Sequence, residues 1–546
     1  MRTVFKNAKI FTGLAETAAE SFRHNSVVIQ DELIEYVGTE TDETVVAAVK
    51  DGARVYDVGA QTIAPGFFDG HMHLLMFGTS LQKVSLEHCR SLQDIRNTIR
   101  EAARKDSTRS RILCRGWMHY MTDGTALASD LDDLDDAKRP IYIDSKDLHS
   151  TWVSSSAIKE LGVEDMPNPA GGEIHRDETG KATGLLSEAA AVTIVWPHLA
   201  KVASVEEKQS AIREAVRTYN AAGYTGLVEM AMDENSWEAL LQFRSKEELT
   251  IQIAAHWLIA PSNTTEENLR QVDRAIELWK EFNLETSPGF RIAGIKVIGD
   301  GVIDACTASL LEPYSRNGIS CEPLWNRDML ADVVARADSA GLQCALHAIG
   351  DATVKLAIDV LESVASKGRR HRIEHLELTS PGDAKRLQEN GITASVQPVH
   401  ADPAITREWD SLLGVKRRKR AFAYREFLDE GVTLALGTDA PTAPNLPLQN
   451  LYIATTRKSA REPESEETFN EHWALPILHA FSAATLGASY SCFADQLVGK
   501  IEAGKKADFV VLDMSWSPHT LLQDRVTQTW FGGKKVYDTS SPSSSQ

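Results

Sequence analysis

Residues 64–74 read APGFFDGHMHL, an apolar run that ends in two histidines. In a β-strand, side chains two positions apart point to the same face. His71 and His73 would therefore lie side by side, and two imidazoles on one face can clamp a metal ion. The pair alone is weak evidence, because histidines are often satisfied in cores or on surfaces by ordinary hydrogen bonds.

Four further strand-like runs end in a residue of chemical interest. These residues are Lys296 in GIKVIGDG, His347 in CALHAIGD, His375 in RIEHLE and Asp439 in LALGTDAP. Charged side chains are rarely fully buried without a partner. Each residue could be satisfied separately, Lys296 by a salt bridge and Asp439 as a turn former, but one shared site explains all of them together.

The apolar runs alternate with segments that carry apolar residues at helical spacing and end at glycine, such as residues 205–223, 326–341 and 351–368. This alternation predicts an α/β fold, a closed (β/α)8 TIM-like barrel, with an open doubly wound sheet as the alternative. No G-x-G-x-x-G opens a helix after the first strand, which argues against dinucleotide binding. In a barrel the carboxyl ends of the strands converge on one face, so the residues above would meet there.

The residue pattern at both ends of the chain differs from that of the middle. Residues 3–66 and 505–538 contain short β-branched runs separated by polar or glycine turns, which is typical of strands and hairpins. We therefore predict a small composite β-sandwich domain built from residues 1–64 and 495–546. Residues 65–494 would form the barrel, with an insertion at about 78–199 that fits no single β/α step.

Composition limits the classes of partner. The chain has 546 residues, 42% of them hydrophobic, and a formal net charge of -19. Nucleic acids and anionic membranes require basic patches, so we expect neither as a partner, and we expect a small-molecule substrate.

Six cysteines without a CxxC pair suit a reducing compartment, and no run reaches the roughly 18 apolar residues of a membrane span. We expect a cytoplasmic protein. Exposed edges of the β domain suggest a homodimer.

The ordered motifs resemble those of the amidohydrolase superfamily of metal-dependent hydrolases, in particular the branch of N-substituted formamide deformylases. The resemblance covers nearly the whole chain. It rests on PGFFDGHMHL, GGEIHRDETGKATGLLSEAA, IKVIGDG, LHAIGD, RIEHLE, GTDAP and VGKIEAGKKADFVVLD, which are specific together and not singly. It implies a (β/α)8 barrel in which metal-activated water hydrolyses a non-peptide C–N bond, such as an amide or formamide-like bond of a small molecule.

The resemblance also implies a ligand set for one or two divalent ions. It assigns His71, His73 and Asp439 to one ion and His347 and His375 to the other. Lys296, carboxylated by carbon dioxide, would bridge the two ions. Imidazole and carboxylate ligands suit zinc, and by ligand type also iron, manganese and nickel. Asp439 would act as the catalytic residue, first as general base and then as general acid toward the departing nitrogen.

Substrate contacts are harder to assign. Where relatives commonly show DGHSAWVN, this chain reads DLHSTWVS and keeps His149 and Trp152. These two residues and Trp117 are candidate substrate contacts. The alternative for His149 is an ordinary loop histidine, and the alternative for Trp117 is core packing. Other reactions of the superfamily, namely deamination, lactone hydrolysis, decarboxylation and isomerisation, remain alternatives. So does a catalytically silent scaffold, although the intact ligand set argues against it.

Overall fold

The computed structural model describes residues 1–15, 17–146, 150–169, 172–188 and 190–540. The described chain divides into two compact units. Unit 1 consists of Met1–His73, Val216–Asp233 and residues from Glu247 onward, and unit 2 consists of Leu74–Ala215 and Glu234–Lys246. No helix among the described residues combines the length and apolarity needed to cross a bilayer.

Unit 1 contains an eight-stranded parallel sheet that forms the predicted TIM-like barrel. Its strands, in chain and spatial order, are β1 (Phe67–Met72), β2 (Tyr224–Met232), β3 (Gln252–Ile259), β4 (Phe290–Ile298), β5 (Gln343–Ala348), β6 (Arg372–His375), β7 (Thr393–Val396) and β8 (Leu434–Leu436). Beyond β8, the N–H groups of Thr438 and Asp439 both donate to the carbonyl oxygen of His71, which joins the last strand end to the first. This link brings residues from opposite ends of the sequence to one face.

The barrel strands are apolar and almost wholly buried, as expected for parallel strands covered on both faces. Small and medium side chains from several strands share one buried cluster, whose barrel members are Phe68, Val228, Met230, Ala254, Ala293, Ala345 and Ala435. Alanine at so many of these positions leaves space for the strands to close around a narrow centre.

Helices occupy most of the connections between barrel strands. The predicted helices at 326–341 and 351–368 are confirmed as Arg327–Ser339 and Asp351–Val364. The first begins where the side chain of Asn326 accepts a hydrogen bond of 2.9 Å from the backbone N–H of Met329, a standard N-cap. The other α-helices of unit 1 are Ala18–Ser21, Glu43–Lys50, Thr265–Glu281, Asp383–Glu389, Trp409–Leu413, Val415–Arg418, Tyr424–Asp429, Pro447–Thr456, Ile477–Ser482 and Ala488–Tyr490. Short 3-10 helices lie at Pro398–Ala401, Glu471–Trp473 and Pro518–Thr520, and a π-helix at Ala483–Gly487.

Two further sheets of unit 1 are formed by the chain ends. One contains Leu33–Gly38, Ser26–Gln30, Arg2–Lys6 and Arg54–Asp57, and the other contains Lys9–Ile10, Thr62–Pro65, Phe509–Asp513, Arg525–Phe531 and Lys534–Asp538. Thr62–Pro65 pairs antiparallel with Phe509–Asp513, so both ends of the chain contribute to one sheet. Side chains of both sheets, among them Phe5, Phe509 and Trp530, share a buried cluster. The composite β-sandwich domain and its boundaries stay predictions.

Unit 2 contains most of the predicted insertion and has a six-stranded sheet of its own. In spatial order its strands are Gly172–Arg176, Ala182–Glu188, Ser150–Val153, Ile141–Ser145, Ile112–Trp117 and Val84–Ser85. Its helices are Leu74–Leu81, Leu92–Lys105, Ser155–Leu161, Trp196–Val202, Glu234–Arg244 and the first part of Val205–Ala221, with 3-10 turns at His119–Thr122 and Ala128–Asp130 and a π-helix at Ala191–Val195.

Closure of the barrel requires a glycine in β4. Gly294 pairs with Gln343 of β5, and a Cβ at Gly294 would lie 2.0 Å from the carbonyl oxygen of Gln343. We expect Gly294→Ala to lower the free energy of unfolding by about 3 kcal/mol, the upper end of the usual overpacking cost, because backbone and not a flexible side chain has to move. The measurement is the thermal unfolding midpoint.

Gly289, five residues earlier, is the matched control. A Cβ at Gly289 would meet nothing within 4 Å. Gly289→Ala should leave the midpoint unchanged or slightly raised. Equal midpoints for the two variants would contradict the close approach of β4 and β5.

Candidate metal centre

The carboxyl ends of the barrel strands gather the residues that the sequence predicted for a metal site. The six residues are His71 in β1, His73 directly after β1, Lys296 in β4, His347 in β5, His375 at the end of β6 and Asp439 after β8. All six residues belong to unit 1, where they come together in space. The ring centres of His71 and His375 lie 4.9 Å apart, and those of His347 and His375 lie 4.3 Å apart.

The hydrogen bonding of His71 leaves one nitrogen free to coordinate. Its Nδ1 lies 2.7 Å from Oε2 of Glu374, and its Nε2 lies 3.5 Å from Oδ1 of Asp439. Burial raises the pKa of Glu374, but Arg372 and His71 outweigh burial and hold that pKa well below its usual range. Glu374 is therefore a carboxylate that accepts the hydrogen of Nδ1. The lone pair of His71 is consequently on Nε2, as in the carboxylate–histidine–metal triads of metalloproteins.

The same reasoning applies to His73. Its Nδ1 lies 2.8 Å from the carbonyl oxygen of Met230, which can only accept, so Nδ1 carries the hydrogen. Its Nε2 lies 3.1 Å from Oδ1 of Asp439. Burial lowers the pKa of His73, but Asp439 outweighs burial and leaves that pKa raised, which shows that the site favours a positive charge at this point.

Three electron-pair donors therefore converge. Nε2 of His71, Nε2 of His73 and a carboxylate oxygen of Asp439 lie within 4.8 Å of one another, and both imidazoles already donate their Nδ1 hydrogen elsewhere. With both Nδ1 hydrogens donated elsewhere, the three donor atoms are satisfied only by a cation among them, either a proton on Nε2 of His73 or a metal ion. A divalent ion fits this donor set, which has the ligand types that zinc prefers.

The second half of the predicted site contains buried polar atoms without partners. Within the described ranges, Nζ of Lys296, Nε2 of His347 and Nδ1 of His375 have no hydrogen-bond partner. Burial lowers the pKa of His347 to about 3 and that of Lys296 to about 8. A neutral imidazole can coordinate a metal, whereas a buried ammonium without an acceptor is unfavourable. Carboxylation of Lys296 would remove this unfavourable charge, so these residues fit a second ion.

Two buried carboxylates hold the site residues in place. Asp69 accepts hydrogen bonds from the backbone N–H groups of His71 and Thr438, and it also accepts from the hydroxyl groups of Tyr219 and Thr438. It thereby ties β1 to the segment that carries Asp439. Burial raises the pKa of Asp69 to about 6.

Asp300 fixes the backbone beside His347, as Asp69 does beside His71. Its carboxylate accepts from the backbone N–H groups of Ser309, Ile349 and Gly350, at 2.9–3.0 Å. One of its oxygens lies 3.5 Å from Nε2 of His347. Burial raises the pKa of Asp300 to about 7. The backbone at the end of β5 is therefore held by one side chain.

The backbone is strained where the ligands leave their strands. His375, Leu376 and Asp439 have φ values of 74°, 51° and 58°, in the left-handed region that residues other than glycine rarely adopt. Such strain persists only where the surroundings over-determine the conformation, and it is common at functional sites.

Sequence reasoning missed Glu377 and His400. They form a group with His375 in which one donor atom of each residue lies within 4.8 Å of the others. His400 follows β7 in the stretch ITASVQPVH, so the strand-end rule that found the other histidines could have found it. Glu377 stands two positions after His375, and nothing in the sequence distinguishes it from an ordinary loop acid.

Two of the three residues predicted to contact the substrate lie in unit 2. Trp117 and Trp152 are fully buried in the core of unit 2, with ring centres 5.5 Å apart, and Nε1 of Trp152 donates to the carbonyl of Leu127. Side chains without exposed surface cannot touch a ligand, so their positions do not support this prediction. The packing alternative accounts for both. His149 lies outside the described residues.

Comparison with known proteins identifies relatives along nearly the whole chain. The sequence pattern of the amidohydrolase family matches residues 54–537. The protein LONG AFTER FAR-RED 3 of Arabidopsis thaliana is 28% identical over 90% of this chain and 84% of its own length. N-substituted formamide deformylase of Arthrobacter pascens is 23% identical over 94% of this chain and 95% of its own length. The crystal structure of an uncharacterised metal-dependent hydrolase from Pyrococcus furiosus shares the fold, with a TM-score of 0.79 and 24% identity over 94% of this chain and 100% of that one.

The convergence of donor atoms predicts the effect of removing single histidines. We expect His71→Asn and His73→Asn each to weaken metal binding by more than the roughly 10–100-fold typical of losing an outer-shell partner. Metal per chain, measured by elemental analysis after dialysis, should fall in both variants.

His371→Asn is the matched control, because His371 is also a buried histidine with two hydrogen bonds, to Asp338 and to the backbone N–H of Cys344. It belongs to no candidate metal group among the described residues, so the metal content of this variant should equal that of the wild type. Full metal content in the His71 and His73 variants would contradict the assignment.

Proposed function

Because the chain belongs to the amidohydrolase family, we propose that it is a metal-dependent hydrolase of a non-peptide C–N bond, an amide or formamide-like bond of a small molecule. The observation that carries the proposal is the convergence of Nε2 of His71, Nε2 of His73 and a carboxylate oxygen of Asp439, with both Nδ1 hydrogens donated elsewhere. The similarity to a formamide deformylase along nearly its full length supports the type of bond.

We propose two divalent ions, zinc in the first instance. His71, His73 and Asp439 would hold one ion, and His347 and His375 the other, with carboxylated Lys296 between them. A divalent ion in such a site polarises a carbonyl group and acidifies a water molecule. The proposed cellular setting is the cytoplasm, the proposed assembly is a homodimer, and we propose that the end sheets form the composite β-sandwich domain.

Asp439 is suited to move a proton during this reaction. Its Oδ1 faces the two histidine nitrogens, which leaves Oδ2 for proton transfer. Burial raises its pKa, but His71, His73 and His400 outweigh burial and hold that pKa well below its usual range, so it is a carboxylate at neutral pH. It accepts a proton from the attacking water and then gives it to the departing nitrogen as the C–N bond breaks and its electron pair moves to nitrogen.

Replacing Asp439 tests this role. Asp439→Asn keeps the size and one oxygen of the side chain but removes its basicity. We expect turnover to fall about 10²–10⁴-fold, the usual contribution of acid–base catalysis, while most of the metal stays bound. The assay is a panel of N-substituted amides, cyclic amides and lactones, with metal analysis of the same samples.

Asp429→Asn, at an exposed position in the helix Tyr424–Asp429, serves as the control. It should retain wild-type turnover, because Asp429 pairs only with Arg425 at the surface among the interactions described. Undiminished hydrolysis by Asp439→Asn would refute its role. Absence of any hydrolysis by the wild type, together with substoichiometric metal, would favour a scaffold.

The number of ions can be tested through Lys296. We expect two ions per chain in the wild type and at most one in Lys296→Met, because the bridging carboxylate would be lost. A high-resolution crystal structure of the wild type should show a carboxylated Nζ. One ion per chain beside an unmodified lysine would establish a mononuclear site instead.

A further inference from the structure

We propose that Cys306 and Cys321 form a reversible disulfide bond when the folded protein meets a low-molecular-weight disulfide such as glutathione disulfide. The proposal concerns a modification site in the segment that follows β4, and it does not depend on the proposed hydrolase function. In a reducing compartment the two residues are thiols at rest, and the bond forms when the surroundings become oxidising.

Cys306 and Cys321 are the accessible cysteines of the chain, since both are partly exposed. The remaining cysteines are buried, and they are Cys89, Cys114, Cys344 and Cys492. Oxidation of a thiol follows its accessibility, because the sulfur has to meet the oxidant. The accessible pair is therefore the pair that can react in the folded protein.

The two cysteines are also in direct contact, although they are 15 positions apart in the sequence. The S–H of Cys321 donates to the backbone carbonyl oxygen of Cys306, and the sulfur lies 3.1 Å from that oxygen. The sulfur of Cys321 therefore lies against the backbone of Cys306. Forming the bond requires the two sulfur atoms to turn toward each other, with a small adjustment of the backbone.

The hydrogen bonds of the two sulfurs differ. Sγ of Cys306 accepts from Nδ2 of Asn317 at 3.7 Å, and the N–H of Ile319 fixes this amide by donating to its Oδ1 at 3.0 Å. An N–H donor beside a sulfur stabilises a thiolate. Burial raises the pKa of the Cys321 thiol, whose hydrogen is held by a carbonyl group. Because the thiolate is the nucleophile in thiol–disulfide exchange, Cys306 attacks first and Cys321 second.

The exchange takes two steps. The thiolate of Cys306 attacks one sulfur of glutathione disulfide, the S–S bond of the oxidant breaks, and one glutathione leaves as a thiolate. Cys321 then loses its proton to water, and its sulfur attacks the mixed disulfide at Cys306, which releases the second glutathione. Two protein thiols are thereby oxidised to one disulfide, and glutathione disulfide is reduced to two glutathione molecules that take up the two protons.

The bond would restrain the segment between β4 and the helix Arg327–Ser339. Directly after β4, the N–H of Gly301 donates to the carbonyl oxygen of Thr307, so Cys306 lies in a closed turn. The cross-link ties this turn to Cys321 and closes a loop of roughly 15 residues, which removes conformational freedom mainly from the unfolded chain. We therefore expect the oxidised protein to unfold at a higher temperature than the reduced protein.

A metal ion held by the two sulfurs is the competing explanation of the same pair. Structural zinc sites almost always have four protein ligands. Among the residues that the structure describes, neither Cys306 nor Cys321 belongs to a group of three or more candidate metal donors. A pair of thiols with no third donor favours a disulfide over an ion.

The experiment maps disulfide bonds after oxidation of the whole folded protein. The protein is incubated with glutathione disulfide, denatured, alkylated at its remaining thiols and digested with trypsin without reductant. Cleavage after Arg316 separates the two cysteines, because residues 297–316 contain Cys306 and residues 317–327 contain Cys321. We expect mass spectrometry to find these two peptides joined, with their summed mass less two hydrogen atoms, and to find them separate after treatment with dithiothreitol.

Cys89 and Cys114 are the matched internal control. Both belong to one cluster in the core of unit 2, and both are buried. They should stay reduced in the folded protein and become alkylated once it is denatured. Disulfide-linked peptides from this pair in the same amount would overturn the inference, since accessibility would then not select the site.

Serine variants test the order of the two steps. In Cys321→Ser the second step cannot occur, so we expect one glutathione to stay on Cys306. In Cys306→Ser we expect about tenfold less glutathione on Cys321, because its thiol form is stabilised. Asn317→Asp keeps Oδ1 but replaces the N–H donor with negative charge, so it should slow disulfide formation about threefold or more.

Several outcomes would overturn the inference. Linked peptides that are absent after oxidation, or that form only in urea, would show that the fold does not bring the two sulfurs together. Equal amounts of glutathione on Cys321 of Cys306→Ser and on Cys306 of Cys321→Ser would refute the order of attack. The thermal midpoint should rise on oxidation of the wild type and not of Cys321→Ser, and equal shifts would refute the cross-link.

The wild type carries the main test by itself, so a variant that fails to fold does not remove it. Thermal midpoints of the reduced variants identify such a failure. No arm of the experiment measures hydrolysis or metal content, so its result and that of the tests of the proposed function are independent.

Discussion

The buried pair of Arg372 and Glu374 is the interaction on which the candidate metal centre depends. Both side chains are completely buried, and Arg372 donates to Glu374, to the carbonyl of Gly70 and to the hydroxyl of Ser395. These bonds join β6 to β1 and β7. Removing one partner of such a pair leaves an uncompensated buried charge, which typically costs about 3–5 kcal/mol. The pair therefore holds the barrel ends together and also decides the protonation of its neighbour His71.

The ionisation of Glu374 also determines which nitrogen of His71 is available to coordinate. Because Arg372 keeps Glu374 ionised, Glu374 accepts the Nδ1 hydrogen of His71, and Nε2 is left as the coordinating nitrogen. Asp69 then ties the backbone of His71 to that of Thr438, directly before Asp439. The donor atoms thus meet through two carboxylates that would not themselves touch the metal. Arrangements of this kind fix the ligand orientation before any ion binds.

The sequence predicts the barrel and the six strand-end residues because both depend on local patterns. Strand-like runs that end in polar side chains can be read directly, and parallel topology brings their ends together. The role of Glu374 could not be read, since its partner His71 is 303 positions away and the pairing depends on strand order. His400 could have been found by the strand-end rule, but it lies in the 3-10 helix Pro398–Ala401 after β7 and not in the strand itself. Trp117 and Trp152 lie in the packed core of unit 2, a position that the local sequence did not indicate, and their role as substrate contacts stays a prediction.

The two oxygens of Asp439 face different groups in the site. Oδ1 lies 3.1 Å from His73 and 3.5 Å from His71, whereas Oδ2 faces His400 at 3.8 Å. Under the proposed function, the first oxygen would coordinate a metal ion and the second would transfer the proton. The backbone at Asp439 is held in a left-handed conformation, and its N–H donates to His71, so the base of the side chain is fixed. The left-handed conformation is over-determined by its surroundings, because the N–H groups of Asp439 and of the preceding Thr438 are both held by residues of β1.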